Sequence, residues 1–181
     1  MGRWERTHEA VRTAALELFS AQGYDATTTA QVAGRAGVSE MTLFRHFATK
    51  EALLLDDPFD PLIAEAVRAR PADESPMRAV VEAVRGALTA LDPATVTELR
   101  TRLWIVAGAE TLDGALERNS RATTTAIADA LLDRGAEPGA ARVVASAVIG
   151  GLSTALLDWV RRDEGDLTGA IISALDALAG G

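Results

Sequence analysis

The sequence predicts an all-α fold, with a small three-helix unit over residues 1–48 followed by a longer helical bundle over residues 49–181, about nine helices in total. Three observations predict it. Apolar residues recur at three- and four-residue spacing along most of the chain. No segment shows the two-residue alternation of a half-buried strand, and Ser, Thr, Gly and Pro fall where such helices would begin and end.

The first helix is expected from Trp4 to Ala21, with Trp4, Val11, Ala15, Leu18 and Phe19 on one side and Arg6, Glu9, Arg12 and Glu17 on the other; Gly23 ends it. Thr28 and Gln31 have capping-box spacing, in which a hydroxyl and an amide three residues later each accept from a backbone N–H. A short second helix therefore runs through Val32 and Ala33 to a stop at Gly37. Ser39 caps a third, Glu40 to Phe47, whose inward residues are Leu43 and Phe47. Thr49 caps a fourth with Lys50, Glu51, Leu53 and Leu54. Pro58 and Pro61 interrupt or re-set it, because proline removes an amide donor and disfavours helix in the residue before it. Further helices are expected over about 75–91, 94–107, 109–134, 138–162 and 166–179, separated by Pro76, Pro93, Gly135 with Pro138, and Gly165.

Composition limits the chemistry. The 181 residues are 48% hydrophobic, enough for a substantial core. There is no Cys, so disulfides and thiolate metal or redox chemistry are excluded. His8 and His46 are the only histidines and lack the third ligand that a metal site needs. Gly150-Gly151 lacks the strand and spacing of a phosphate loop and reads as a close-packing point between helices, while Asp56, Asp57 and Asp60 read as a solvated bend. No catalysis, metal or cofactor is expected. The N-terminus, with Arg3, Trp4, Glu5 and Arg6, lacks the apolar run of about 7 to 15 residues of an export signal. The longest uncharged stretch, Val143 to Leu157, is shorter than the roughly 20 apolar residues of a membrane span. A cytoplasmic protein with no membrane partner is expected.

The net charge is −8, which gives no general basic footprint for nucleic acid. Residues 1–50, however, carry six basic groups against five acidic ones, and the rest of the chain carries −9. Any DNA-facing surface must be local and early. Two short helices joined by a tight turn, Thr28 to Phe47, describe a helix-turn-helix, which lays its second helix in the major groove. With Leu43 and Phe47 inward, the outward set is Glu40, Met41, Thr42, Arg45 and His46, with Phe44 intermediate. Arg45 suits a guanine edge or a phosphate, and Thr42 a phosphate or a thymine methyl. The caps Thr28 and Ser39 start the second and third helices, and the amides at the starts of the second and fourth can meet phosphate, where Lys50, in the first turn of the fourth, would add a full charge.

The run Gly23-Tyr24-Asp25-Ala26-Thr27-Thr28-Thr29-Ala30-Gln31-Val32-Ala33, then Ala36-Gly37-Val38-Ser39, Thr42-Leu43-Phe44-Arg45-His46-Phe47 and Lys50-Glu51 resembles the DNA-binding signature of the TetR family almost position for position, over about residues 10–54. The resemblance implies phosphate contacts from Thr28, Thr42, Phe44, His46 and Lys50, and base-facing positions at Met41 and Arg45. Phe44 stands where the family often has Tyr, so a hydroxyl contact is missing there. The resemblance also implies a repressor that binds double-stranded palindromic operator DNA as a homodimer and is released by a small-molecule effector held between its central helices.

Met77, Val81, Val84, Leu103, Trp104 and Ala107 are the expected apolar lining of that effector site, with Arg100, and further Glu110 and Asn119, as polar partners. Apolar residues surround most of the helix from Val143 to Val160, so it must be buried on more than one side. The dimer surface is therefore expected on the last two helices, at Val144, Ala147, Val148, Gly151, Leu152, Ala155, Leu156, Trp159, Ile171 and Leu175. The rival readings are a helical enzyme or ligand carrier, which the missing catalytic constellation opposes, and a protein-interaction bundle that has lost DNA binding.

Overall fold

The computed structural model describes residues 2–56, 59–112, 114–162 and 166–180. Among them are ten α-helices, one short 3-10 turn and no strand: α1 (Arg3–Gln22), α2 (Thr29–Arg35), α3 (Glu40–His46), α4 (Ala52–Leu55), α5 (Phe59–Arg68), α6 (Pro76–Leu88), α7 (Pro93–Gly108), α8 (Ala115–Asp133), α9 (Pro138–Arg162) and α10 (Leu167–Ala179). The starts follow the caps. Thr28, Ser39, Ser75 and Asp166 each accept from the backbone N–H three residues on.

Two expectations are corrected. The helix expected over 109–134 begins only at Ala115, because a 3-10 turn at Glu110–Leu112 and Gly114 at φ 72 come first. That φ favours a residue without Cβ. The fourth helix is only four residues long, its Ala52 N–H capped by Thr49 Oγ1 at 3.1 Å, and a separate α5 follows. Pro61 is the third residue of α5, in the first turn where a missing donor costs little. Asp57 and Pro58, the side chains of Asp60 and Pro61, and Gly165 lie outside the described residues.

The chain forms two compact units, residues 1–56 with 98–115, and residues 57–97 with 116–181. In the first, Val11, Ala15 and Phe19 of α1, Val32 and Ala33 of α2, Leu43 and Phe47, and Leu53 and Leu54 of α4 are buried. Burying each large side chain of this kind contributes about 1.5–3 kcal/mol. Polar ties close the unit. The buried Arg102 guanidinium of α7 donates to the carbonyls of Leu54 and Asp56, the latter at 2.9 Å, and Arg12 of α1 donates to the same Asp56 carbonyl at 3.2 Å. Leu54 lies in the last turn of α4 and Asp56 caps its end, the place where helix carbonyls run out of intrahelical donors.

In the second unit α9 packs against α10 and α6, α10 against α6, and α5 against α6. Its core holds Val67, Val80, Val84, Ile127, Leu131, Val148, Leu152, Leu167 and Leu175. Arg134, the residue after α8, donates to the carbonyls of Arg70, Pro71 and Glu74, which ties the turn between α5 and α6. Among the described residues α9 is the one helix long and apolar enough to cross a membrane by length and composition, and 33% of its apolar window is buried inside the chain.

Candidate DNA-binding face

The geometry of the face begins with the two short helices α2 and α3. Gln31 N–H donates to Thr28 Oγ1 at 3.2 Å while Thr28 N–H donates to Gln31 Oε1 at 2.8 Å, the reciprocal box expected from the sequence. The end of α2 is a Schellman closure, with Val38 N–H on the Ala33 carbonyl at 2.9 Å and Gly37 N–H on the Gly34 carbonyl at 3.2 Å. Gly37 sits at φ 69, so the tight turn into α3 depends on a residue without Cβ. Ser39 Oγ then accepts from Thr42 N–H at 3.1 Å and lies 3.0 Å from Thr42 Oγ1.

Leu43 and Phe47 have no exposed surface, which sets the rotation of α3. Glu40, Met41, Phe44 and Arg45 are consequently exposed, Met41 at 84%, and Thr42 is half-buried. Thr28 and Ser39 are exposed beside them.

His46 does not belong to the outward set. Only 8% of it is exposed, its ring lies 4.6 Å from Trp4 and 5.7 Å from His8, and its Nδ1 is buried without a partner. The cause is the docking of α3 on α1: Trp4 and His8, four residues apart on α1, form an aromatic shelf, with His8 stacked on Phe47 at 4.1 Å. Burial, and then the neighbouring Arg45, lowers the His46 pKa; burial, Arg12 and His46 lower that of His8. Both rings are therefore harder to protonate than a free imidazole. The one sign of this shelf in the sequence is the four-residue spacing of Trp4 and His8.

Lys50 is also turned inward. Its Nζ donates to the Tyr24 carbonyl at 2.6 Å and stands 4.0 Å from the centre of the Tyr24 ring. Burial lowers its pKa, opposed by Asp25, and pushes the Tyr24 hydroxyl up to about 12, with Glu51 and Asp25 adding. The residue precedes α4 rather than lying in its first turn.

The expected effector lining is divided between the units. Val81 and Val84 are buried and Met77 half-buried in the second unit; Arg100, Leu103, Trp104 and Ala107 belong to the first. Leu103 is buried, but Trp104 is 62% exposed and Ala107 exposed, so neither walls a cavity within its own unit. Arg102, Leu103, Ile105 and Val106 take the inward positions of α7, and that phase turns Trp104 out. An open groove of about 600 Å³ instead lies along α1 and the end of α2, lined by charged groups including Arg6, Glu9, Glu17 and Arg35.

Five of the ten residues expected at a dimer surface, Val148, Leu152, Trp159, Ile171 and Leu175, are buried inside the chain itself, where they pack the second unit's core. Val144, Ala147, Ala155 and Leu156 are half-buried. Gly151 is used internally, since a Cβ there would come within 2.9 Å of Leu178 Cδ1 on α10. Gly150 is the glycine with open space beside it.

Residues 11–56 match the family model described as bacterial regulatory proteins, tetR family, and residues 74–181 match that of the MftR C-terminal domain. The chain belongs to the TetR family. The HTH-type transcriptional regulator TcmR of Streptomyces glaucescens is 42% identical over 85 residues, 46% of this chain and 38% of that protein. The uncharacterized HTH-type transcriptional regulator YvkB of Bacillus subtilis (strain 168) is 44% identical over 48 residues, 26% of this chain and 25% of its own. The matches thus span well under two thirds of these relatives' lengths.

Among solved structures, NalD, the secondary repressor of the MexAB-OprM multidrug efflux pump in Pseudomonas aeruginosa, superposes with a TM-score of 0.61 at 24% identity, over 98% of this chain and 97% of its own. SmeT, the repressor of the Stenotrophomonas maltophilia multidrug efflux pump SmeDEF, gives a TM-score of 0.62 at 17% identity, over 96% of this chain and 88% of its own. At these identities the likeness shows the fold. This TetR-family chain is all-α, with a helix-turn-helix N-terminal part and a helical C-terminal part.

Proposed function

We propose that this TetR-family chain is a sequence-specific transcriptional regulator, a repressor that binds a palindromic operator as a homodimer and leaves it when a small molecule binds, and that it is not an enzyme. The reading takes residues 1–48 as the DNA-reading part and 49–181 as the effector and dimerisation part. The observation that carries it is the exposed face of α3, where Met41, Phe44 and Arg45 stand beside Ser39, Thr42 and Thr28 on a frame fixed by two side-chain caps and a Gly37 turn. Arg45 supplies base-edge recognition; Thr28, Thr42 and Ser39 supply phosphate contacts. Lys50 and His46 act by holding the frame.

Release by an effector is supported by likeness: SmeT has been solved in complex with triclosan, and it superposes on this chain with a TM-score of 0.64 at 18% identity. Arg102 gives the physical link within the first unit, because a shift of α7 would pull on the last carbonyls of α4, which packs on α1. The exposed outer stripe of α9, through Val143, Ser146, Gly150 and Thr154 with Ala147 at its margin, is the seam for the second copy.

Selection of duplexes from a randomised pool, followed by titration at two salt concentrations, tests the reading. The expected product is a two-fold symmetric site with half-site centres about 34 to 36 Å apart or a little more. Arg45→Ala should change base preference and, where it reads guanine, cost about 1–3 kcal/mol. Equal binding to every duplex, by the protein and by Arg45→Ala alike, would overturn it.

A further inference from the structure

The DNA-binding reading leaves one charged group on the face of α3 without a role, and its sign is the wrong one for phosphate. Glu40 is exposed at the first position of α3, next to Met41 and one turn before the exposed Phe44. Its carboxylate is not loose. Thr29, the half-buried first residue of α2, donates its hydroxyl to Glu40 Oε1 at 2.7 Å, so the two helices of the motif meet at this point. A solvated surface glutamate gains little from such a bond, whereas an oriented one presents its remaining oxygen in a defined direction.

A fixed carboxylate at the start of a recognition helix can only accept hydrogen bonds. In the major groove guanine offers N7 and O6 and thymine offers O4, all acceptors that repel it. Adenine offers an N6 donor with the N7 acceptor beside it, and cytosine offers the N4 amino group alone. Residues near the N-terminus of a recognition helix are the ones that reach base edges.

We propose that Glu40, oriented by Thr29, is a specificity-determining residue that accepts a hydrogen bond from a cytosine amino group in each half-site. The proposal rests on the DNA-binding reading above and adds to it a base that the arginine and threonine contacts do not read. The carboxylate also acts by exclusion, since a purine acceptor or thymine O4 at that position meets an unscreened negative charge.

The test is selection from a randomised duplex pool with the wild-type chain, Glu40→Gln, Glu40→Ala and Thr29→Val, with thermal melting of each variant. Wild type should select cytosine at one position of each half-site. Glutamine pairs with adenine N6 and N7, so Glu40→Gln should change that position alone from cytosine to adenine. Glu40→Ala should flatten it, with the discrimination falling about tenfold. Thr29→Val keeps the carboxylate but frees it, and should weaken the cytosine preference without replacing it. If wild type selects a symmetric site and the Glu40 variants select the same one, the carboxylate only ties α2 to α3 and the proposal fails while the function stands. A lowered melting temperature with unchanged base preference overturns it in the same way. If wild type selects no sequence at all, the DNA-binding reading fails and this proposal fails with it.

Discussion

Helices α3 and α9 solve the same problem in opposite ways. The seven residues of α3 are bounded by Ser39 at one end and by Phe47 at the other, and Leu43 and Phe47 fix which side faces in. The twenty-five residues of α9 bury Ala141, Ala145, Val148, Ile149, Leu152, Trp159 and Val160, and across the middle of the helix its outer side, with Val143, Ser146, Gly150 and Thr154, carries no charge to mark it as outer. A helix with one apolar stripe carries its orientation in its sequence; one whose middle is uncharged all round carries it weakly, because small and hydroxyl residues can face either way at little cost until specific neighbours are chosen. Both units have an apolar core and polar ties, but α3 is placed by caps and by two inward residues at defined positions, and α9 by its contacts with particular neighbours on α6 and α10.

The largest effect should come from breaking the outer side of α9. Gly150→Arg places a charge where a Cβ meets nothing within 4 Å, so the single chain should fold as before, and the helix gains the roughly 0.8 kcal/mol that glycine costs in a helix interior. A second copy seated on that stripe would have to bury the charge. Sedimentation should therefore find a monomer, and operator affinity should fall about 100-fold or more as the two half-sites lose their linkage. Gly151→Arg, one residue on, must displace Leu178 and should lower the melting temperature. If Gly150→Arg remains a dimer, the seam lies elsewhere.

A smaller effect should separate polar clasps from surface pairs. Arg102→Met keeps the apolar stem and removes the donors to the Leu54 and Asp56 carbonyls. The Asp56 carbonyl keeps Arg12, but leaving the buried Leu54 carbonyl unpaired costs about 1–3 kcal/mol, measurable as a shift in urea unfolding. In the second unit Arg85→Met breaks the Arg85–Asp176 ion pair, whose side chains are 30% and 54% exposed. Exposed pairs are worth about 0–1 kcal/mol. Equal losses from the two variants would mean that α4 is not held by Arg102.

What can be read in the sequence follows the same division. Thr28 with Gln31, Gly37, and Ser39 act through neighbours three or four residues away, so their roles are legible. The sequence misplaces His46 and Lys50 because their partners, Trp4 and Tyr24, lie 42 and 26 residues away in the chain. The size of Trp104 suggests an inward position, but the buried Arg102 sets the phase of α7, and a buried arginine is legible only once its carbonyl acceptors are known. On α9 the extent of the helix is legible and its rotation is not. The choice of Gly150 over Gly151 for the outer side turns on a single contact between Gly151 and Leu178.

The smallest effect is a difference in pH response. His8 and His46 share an aromatic shelf with Trp4 and Phe47, and each has a buried Nδ1 without a partner. Burial is the largest cause and lowers both pKa values from the ordinary 6.5; Arg12 and His46 lower that of His8 further and Arg45 that of His46, while Asp56 and Glu9 oppose the shift at His8. The folded protein therefore binds protons less readily than the unfolded chain. Above 6.5 both states are neutral at these sites and stability is independent of them. As pH falls below 6.5 the unfolded chain takes up protons first, and stability is lost until the lowered folded-state values have been passed. In the second unit the lowered groups are carboxylates, among them Glu74 through the hydrogen bonds it accepts from Arg70, and Glu137 through the N–H groups of Gly139 and Ala140. Their contribution is lost only as pH falls below the ordinary 4.5. Between pH 7.5 and 5.5 the first unit alone should weaken. Trp4 fluorescence, read in a chain with Trp104→Phe and Trp159→Phe, should show a lower unfolding temperature at pH 5.5, and His8→Gln with His46→Gln should flatten the dependence. An equally steep slope in the double variant would place the proton uptake outside the shelf.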